Sequence, residues 1–196
     1  MKMFMKILMS SVLITVLMSA VALESTCSEL KDDVLRLHIL ANSDTFYDQE
    51  LKIKVRDSIL NEISPLYDGV TTKEKAIAVT SENLDVITKV ASKVIAQNNS
   101  DYSVTAEIAK EYFDTRYYDD FTMPAGMYDT LLIKIGEGNG KNWWCVMYPT
   151  LCVGASSDLA MKENLSDDAY KLITEDEYVF KFKFIEYFEK ISKLFS

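Results

Sequence analysis

What this sequence is short of narrows the field first. One histidine in 196 residues rules out a metal site built from several imidazoles, and three cysteines cannot close a four-cysteine zinc site. Three prolines and six glycines exclude a collagenous chain and argue against a disordered one. Positive charge is scarce as well. Lys and Arg number 21 against 30 Asp and Glu, a formal net charge of −9, so a surface that grips nucleic acid through its phosphates is not expected. What the chain does have is apolar content: 48% hydrophobic residues, with nine Phe, eleven Tyr and two Trp. That is enough for a real core in a single domain of this length.

Charge is unevenly distributed, most of all at the start. Lys2 and Lys6 precede a 17-residue run, 7–23, that carries no charge, with the small residues Ala20 and Ala22 near its end. Basic, apolar and small segments in that order make a secretory signal. Cleavage after Ala22 fits. The run also reaches the lower length limit of a membrane span when flanking lysines snorkel, so a retained anchor stays open. Residues 1–22 hold two lysines and no acid, so without them 19 basic residues face 30 acidic ones, a net of −11 over 174 residues. Such a charge disfavours anionic headgroups, and membrane contact is expected only through the N-terminal segment.

Export frames the cysteines. Cys27 follows Glu24-Ser25-Thr26, without the small apolar residues of a lipoprotein processing site. Cys145 and Cys152 enclose six residues and would form a disulfide if a turn brings their Cα atoms within about 7 Å, as an oxidising compartment permits. Two buried thiols are the alternative.

Beyond residue 33 the pattern is that of an α+β chain. Val34 to Ala41 alternates, Leu35, Leu37, Ile39 and Ala41 to one side and Arg36 and His38 to the other, which predicts a strand. Thr45 and Asp48 have capping-box spacing ahead of a helix from about Tyr47 to Ile63, where Leu51, Val55, Ile59 and Ile63 share a face and Ser64-Pro65 stops it. Thr71 and Glu74 open a longer helix to about Gln97, closed by Asn98 and Asn99. Tyr102 to Ala109 alternates as a strand. Lys110 to Asp120 has no firm period and is expected as extended chain over the core. Met123-Pro124-Ala125-Gly126 turns into a strand over 128–135, residues 136–140 with three glycines read as a hairpin loop, and Asn142 to Tyr148 returns. Residues 155–174 read as a polar loop with a helical turn. Tyr178, Phe180, Phe182 and Phe184 alternate as a last strand before helical spacing at Ile185, Phe188 and Ile191. The expected architecture is a single domain, mostly antiparallel sheet with two main helices packed on one face and a C-terminal helix, preceded by a signal or anchor helix. Its divisions fall at 1–22, 34–153 and 154–196.

Little here carries catalysis. His38 with Asp44 or Asp57, and Ser43 or Cys145 as nucleophile, is the one triad that can be assembled on paper, and neither nucleophile has the strained glycine-rich context of an elbow. The paired acids Asp32-Asp33, Asp119-Asp120 and Asp167-Asp168 are sequence neighbours that diverge in space. The glycine loop lacks the Lys-Ser/Thr ending of a phosphate cradle. Trp143 and Trp144 are adjacent on a predicted strand, so one indole enters the core and the other stands on the far face. There it is either covered by a second layer or displayed as an aromatic anchor for a partner.

Two blocks carry a resemblance. Leu35-Arg36-Leu37-His38-Ile39-Leu40-Ala41-Asn42-Ser43-Asp44, followed by Asp48-Gln49-Glu50-Leu51-Lys52 and Val55-Arg56-Asp57, is similar to the opening block of the stage II sporulation protein R family. Pro124-Ala125-Gly126, Tyr128, Ile135-Gly136-Glu137-Gly138, Gly140, Asn142-Trp143-Trp144-Cys145-Val146, Pro149 and Leu151-Cys152 resemble that family's second signature. Together the blocks extend over most of 34–153.

The resemblance implies an intercompartment signal of endospore formation. Such a protein is made in the forespore and exported to the space between the septal membranes. There it activates a membrane-embedded aspartic protease, the sporulation sigma-E factor-processing peptidase, and itself cuts nothing and needs no cofactor. A secreted hydrolase and a small-ligand-binding module are the rival readings. The residues expected at a partner contact are Arg36, His38, Asn42, Asp44, Arg56, Asn142, Trp143 and Trp144.

Overall fold

The computed structural model describes residues 2–118, 120–150 and 157–175, with Tyr178 and Phe182. The elements in order are α1 (Lys2–Asp33), β1 (Leu35–Leu40), α2 (Phe46–Ile63), a 3-10 turn (Ser64–Tyr67), α3 (Lys73–Glu82), α4 (Leu84–Gln97), β2 (Val104–Phe113), β3 (Arg116–Tyr117), β4 (Thr122–Met123), β5 (Gly126–Ile135), β6 (Asn142–Tyr148), α5 (Ser157–Asn164) and α6 (Asp167–Thr174). Among the described residues no helix is long and apolar enough to cross a membrane. The side chains at 12, 13, 16, 17 and 19–22 of the uncharged run lie outside the described set.

Four strands form one sheet in the order β2-β5-β1-β6. The β2–β5 and β1–β6 pairs are antiparallel and the central β1–β5 pair is parallel, so the sheet is mixed. Alternation along β1 decides what each face holds. Leu35, Leu37 and Ile39 meet Leu131, Ile133 and Ile135 of β5, the four-spaced apolar residues of α2, and Ile87, Ala91 and Ile95 of α4 in a first core. Arg36 and His38 turn to the opposite face. There Phe113, Tyr128 and Val146 join Cys27 and Leu30 of α1 and Ala169, Leu172 and Ile173 of α6 in a second core. The expected helices α2 and α4 do share one face. For the other face a covering second layer and an open display were both left possible, and α1 with α6 covers part of it.

Local chemistry sets the element ends. Thr45 caps α2, its hydroxyl accepting from the Asp48 N–H at 3.2 Å. The long helix expected to reach Gln97 is instead two, α3 and α4. Thr72 caps the first by accepting from Lys75 N–H. The break falls at Asn83, whose side-chain amide donates to the Val79 carbonyl at 2.8 Å. A side chain that takes a backbone carbonyl competes with the helix ladder there.

Other expectations fail for identifiable reasons. Residues 136–140 are no hairpin, because β1 lies between β5 and β6. The loop passes over the end of β1, with Gly140 N–H donating to the Ala41 carbonyl at 2.9 Å and Asn139 N–H to that of Asn42 at 3.2 Å. Positive φ at Gly136 (56°) and Gly138 (66°) serves a connection that skips a strand as well as it serves a hairpin. The stretch from Lys110, expected as extended chain, is extended: it continues β2 to Phe113 and then enters the β3–β4 ladder. Residues 155–174 are not a loop over their described part, which holds α5 and α6; Ser166 caps α6, accepting from Ala169 N–H at 3.2 Å. Tyr178 and Phe182 are helical, four residues apart, and Phe182 is buried in the second core. The remaining expectations for 176–196, and the pairing of Cys152, lie outside the described residues.

Candidate interaction site

The eight candidate residues separate into two places. Asn42, Asp44, Arg56, Asn142 and Trp143 gather where β1 runs into α2. Asn42 Nδ2 donates to Asp48 Oδ2 at 2.9 Å, and Asn42 Oδ1 accepts from Glu137 N–H at 3.0 Å. Asp44 Oδ1 accepts from Lys141 N–H at 2.5 Å. Buried Lys52 donates to Gln49 Oε1 at 2.6 Å and to the Lys141 carbonyl at 2.8 Å. These bonds clasp the 136–141 loop to the β1–α2 turn, so Asn42 and Asp44 are engaged in holding the fold. Arg56 lies over the Trp143 ring, 4.1 Å from its centroid, and bonds Asp57. Asn142 opens β6 and is exposed.

Asp48 anchors this corner. Burial raises its carboxyl, but the Ser43 hydroxyl (2.5 Å) and the Asn42 amide, with weaker donors, outweigh burial and hold it below the ordinary carboxylate value. A depressed folded-state value contributes stability that is fully present above the unfolded value, near 3.9, and is lost as pH falls through the folded one. Asp48→Asn is expected to lower stability at pH 7 by about 2 kcal/mol and to shrink the loss between pH 7 and pH 3. Urea melts at both values check this, and an undiminished acid loss refutes it.

Arg36, His38 and Trp144 come together on the opposite face, with Glu111, Phe113, Arg116 and Tyr118, which sequence reading did not single out. His38 and Trp144 pair across β1 and β6, and their rings stack with centroids 3.8 Å apart and planes 15° from parallel. Phe113 meets Trp144 edge-on at 4.6 Å. His38 Nδ1 is hydrogen-bonded to Glu111 Oε2 at 2.5 Å. Arg36 is 0% exposed. Its Nε donates to the Cys145 carbonyl at 3.2 Å, and its Nη2 to the Tyr118 hydroxyl at 2.7 Å. The guanidinium lies 4.1 Å from the Phe113 centroid and 5.0 Å from that of Tyr128. Burial pushes it below its ordinary value, against the opposing pull of Tyr118 and Tyr128. Arg116 lies over Trp144 at 4.9 Å. Arg36 and His38 thus sit beneath the surface, and Trp144, Arg116, Glu111 and Tyr118 are the half-buried residues that reach solvent around them.

The triad weighed from sequence does not assemble. The Ser43 hydroxyl donates to Asp48, and Cys145 is disulfide-bonded and sits opposite Leu37, on the far side of β1 from His38. Asp44 and Asp57 are held by Lys141 and Arg56. Cys27 is a buried free thiol, pushed up to about 11 by burial, which leaves it protonated and unreactive at neutral pH. Among the described residues no cluster of three or more His, Cys, Asp and Glu is arranged to hold a metal ion. What the second face offers is recognition chemistry: flat rings, guanidinium groups and one short His–Glu bond. Glu111 was legible in principle, since Thr105, Glu107, Ala109, Glu111 and Phe113 continue one alternating face of β2.

Comparison with known proteins bears on that chemistry. A family profile described as "Stage II sporulation protein R (spore_II_R)" matches residues 31–158. The chain is similar to "Stage II sporulation protein R" of Bacillus subtilis (strain 168), with 37% identity over 147 residues, 74% of this chain and 66% of the relative. The match therefore spans just under two-thirds of that relative's length. No solved structure matches.

Proposed function

The chain belongs to the stage II sporulation protein R family, a sporulation signalling protein by that membership, and from this premise we propose that it is the exported trigger of a membrane-embedded protease. Made in the forespore, it crosses into the space between the septal membranes, secreted or held by its N-terminal segment. There it activates the sporulation sigma-E factor-processing peptidase, which removes the pro-sequence of the mother-cell sigma factor. The observation that carries this reading is the family match across residues 31–158. The uncharged run at 7–23 ahead of that region supports export.

An activator shifts its target only by binding the active form more tightly than the inactive one. Aspartic proteases need two aspartates brought together, so stabilising the closed or dimeric protease is the simplest such action. The contact is assigned to the second face, where Trp144 and Arg116 reach solvent. Trp and Arg are the residues that most often dominate interface energy.

Reconstitution tests both statements. The full chain, the protease and the sigma precursor are co-produced in a non-sporulating host and precursor cleavage is followed. Cleavage that depends on this chain is expected, and equal cleavage without it overturns the activator reading. Trp144→Ala is expected to reduce activation about tenfold, the equivalent of about 1.4 kcal/mol. A folded Trp144→Ala protein with full activation removes the second face from the contact. Trp143→Ala is expected to act mainly through stability, because Trp143 packs against the first core.

A further inference from the structure

We propose that Arg36 and Arg116, framed by Phe113, Tyr118 and Trp144, form a receptor for one carboxylate presented by the partner protein. The naming of the partner rests on the activator reading above; the receptor itself does not.

Three polar atoms at this place are buried without a hydrogen-bond partner: Arg36 Nη1, Arg116 Nε and His38 Nε2. A buried donor left unpaired forfeits its hydration without replacement, and chains rarely leave several together. The guanidinium groups are close enough for Arg116 to repel the charge on Arg36. No carboxylate among the described residues is ion-paired with either. Glu111, the nearby acid, is committed to His38. Two cations close to each other and lined by aromatic rings, each with an unused N–H, have no acid paired to them among the described residues. A single carboxylate fits, because it accepts two N–H bonds in one plane and carries one charge into a dry site.

A polyanionic surface fits poorly. The chain is itself at −9, and at −11 without residues 1–22, so phospholipid headgroups and nucleic acid are repelled at long range. An isolated Asp or Glu side chain, or a chain terminus, on a protein partner is the carboxylate that an acidic protein can still approach. Arg116 lies over the Trp144 ring, so a carboxylate taken up by Arg116 must disturb that contact, and the indole reports the event.

The test uses the full chain in detergent with Trp143→Phe, leaving Trp144 as the one indole. Sodium acetate, acetamide and inorganic phosphate are titrated at constant ionic strength while Trp144 emission is followed. A saturable shift with acetate and none with acetamide is expected, with apparent affinity about tenfold weaker in Arg116→Gln. No difference between acetate and acetamide overturns the receptor, and a response to phosphate alone overturns its assignment to carboxylate. Arg116→Gln is then placed in the reconstituted cleavage assay, where at least a tenfold loss of activation is expected. Acetate binding with undiminished activation by Arg116→Gln overturns the partner as the source. Wild-type protein that binds acetate yet activates nothing fails the activator reading and leaves the receptor standing.

Discussion

Gly140→Ala is expected to destabilise the protein by about 3 kcal/mol, seen as a lower urea midpoint at unchanged slope. A Cβ at this position would overlap the backbone carbonyl of Ser43 and sit 3.0 Å from the Ala41 Cβ. Backbone atoms cannot rotate away as a long side chain can. Both sides of the clash are also pinned. Gly140 and Asn139 donate to the Ala41 and Asn42 carbonyls, and Lys141 N–H donates to Asp44. If the loop lifts, those bonds are lost; if the β1–α2 turn gives way, the bonds that hold Asp48 are lost with it. Gly69 is the matched control, because nothing lies within 4 Å of its Cβ position and only its φ of 74° opposes a side chain. Gly69→Ala is expected to cost about 1 kcal/mol. A Gly140→Ala loss no larger than that would show that the loop is not fastened to β1 as described.

Asn42 shows why part of this corner was legible and part was not. The turn, the Thr45 cap and α2 follow from residues within four positions of one another, so each was readable from a local window, and β6 was read as the strand that returns after the glycine loop. That Asn42 Oδ1 would bond the N–H of Glu137 depends on where β1 enters the sheet. Glycine spacing at 136–140 carries no information on that, since skipping a strand and turning back require the same backbone freedom. The two tryptophans were placed on opposite faces by period two alone. What covers Trp144 was not in reach, because His38, Phe113 and Arg116 arrive from three separate strands. The helices of the second core escaped for another reason. α6 buries only Ala169, Leu172 and Ile173 among its eight residues, so its polar composition resembled a loop.

Arg36 is where fold and recognition part. Arg36→Ala is expected to cost about 4 kcal/mol. It empties a fully buried site beneath Phe113 and Tyr128 and leaves the Cys145 carbonyl and the Tyr118 hydroxyl without their donor. Arg36→Met is expected to stay within about 1.5 kcal/mol of wild type. Methionine fills much of the volume against the rings, and its loss of two hydrogen bonds, about 1 kcal/mol each, is offset by removing a desolvated cation that no carboxylate among the described residues accompanies. If Arg36 served packing alone, Arg36→Met would therefore be a near-silent change in every assay. As part of a carboxylate receptor it gives the opposite split: a urea midpoint near wild type, no acetate response at Trp144, and loss of precursor cleavage in the reconstituted system. Arg36→Met that keeps both stability and activation assigns this buried arginine to the core, and with it the reason that the second face carries charge at all.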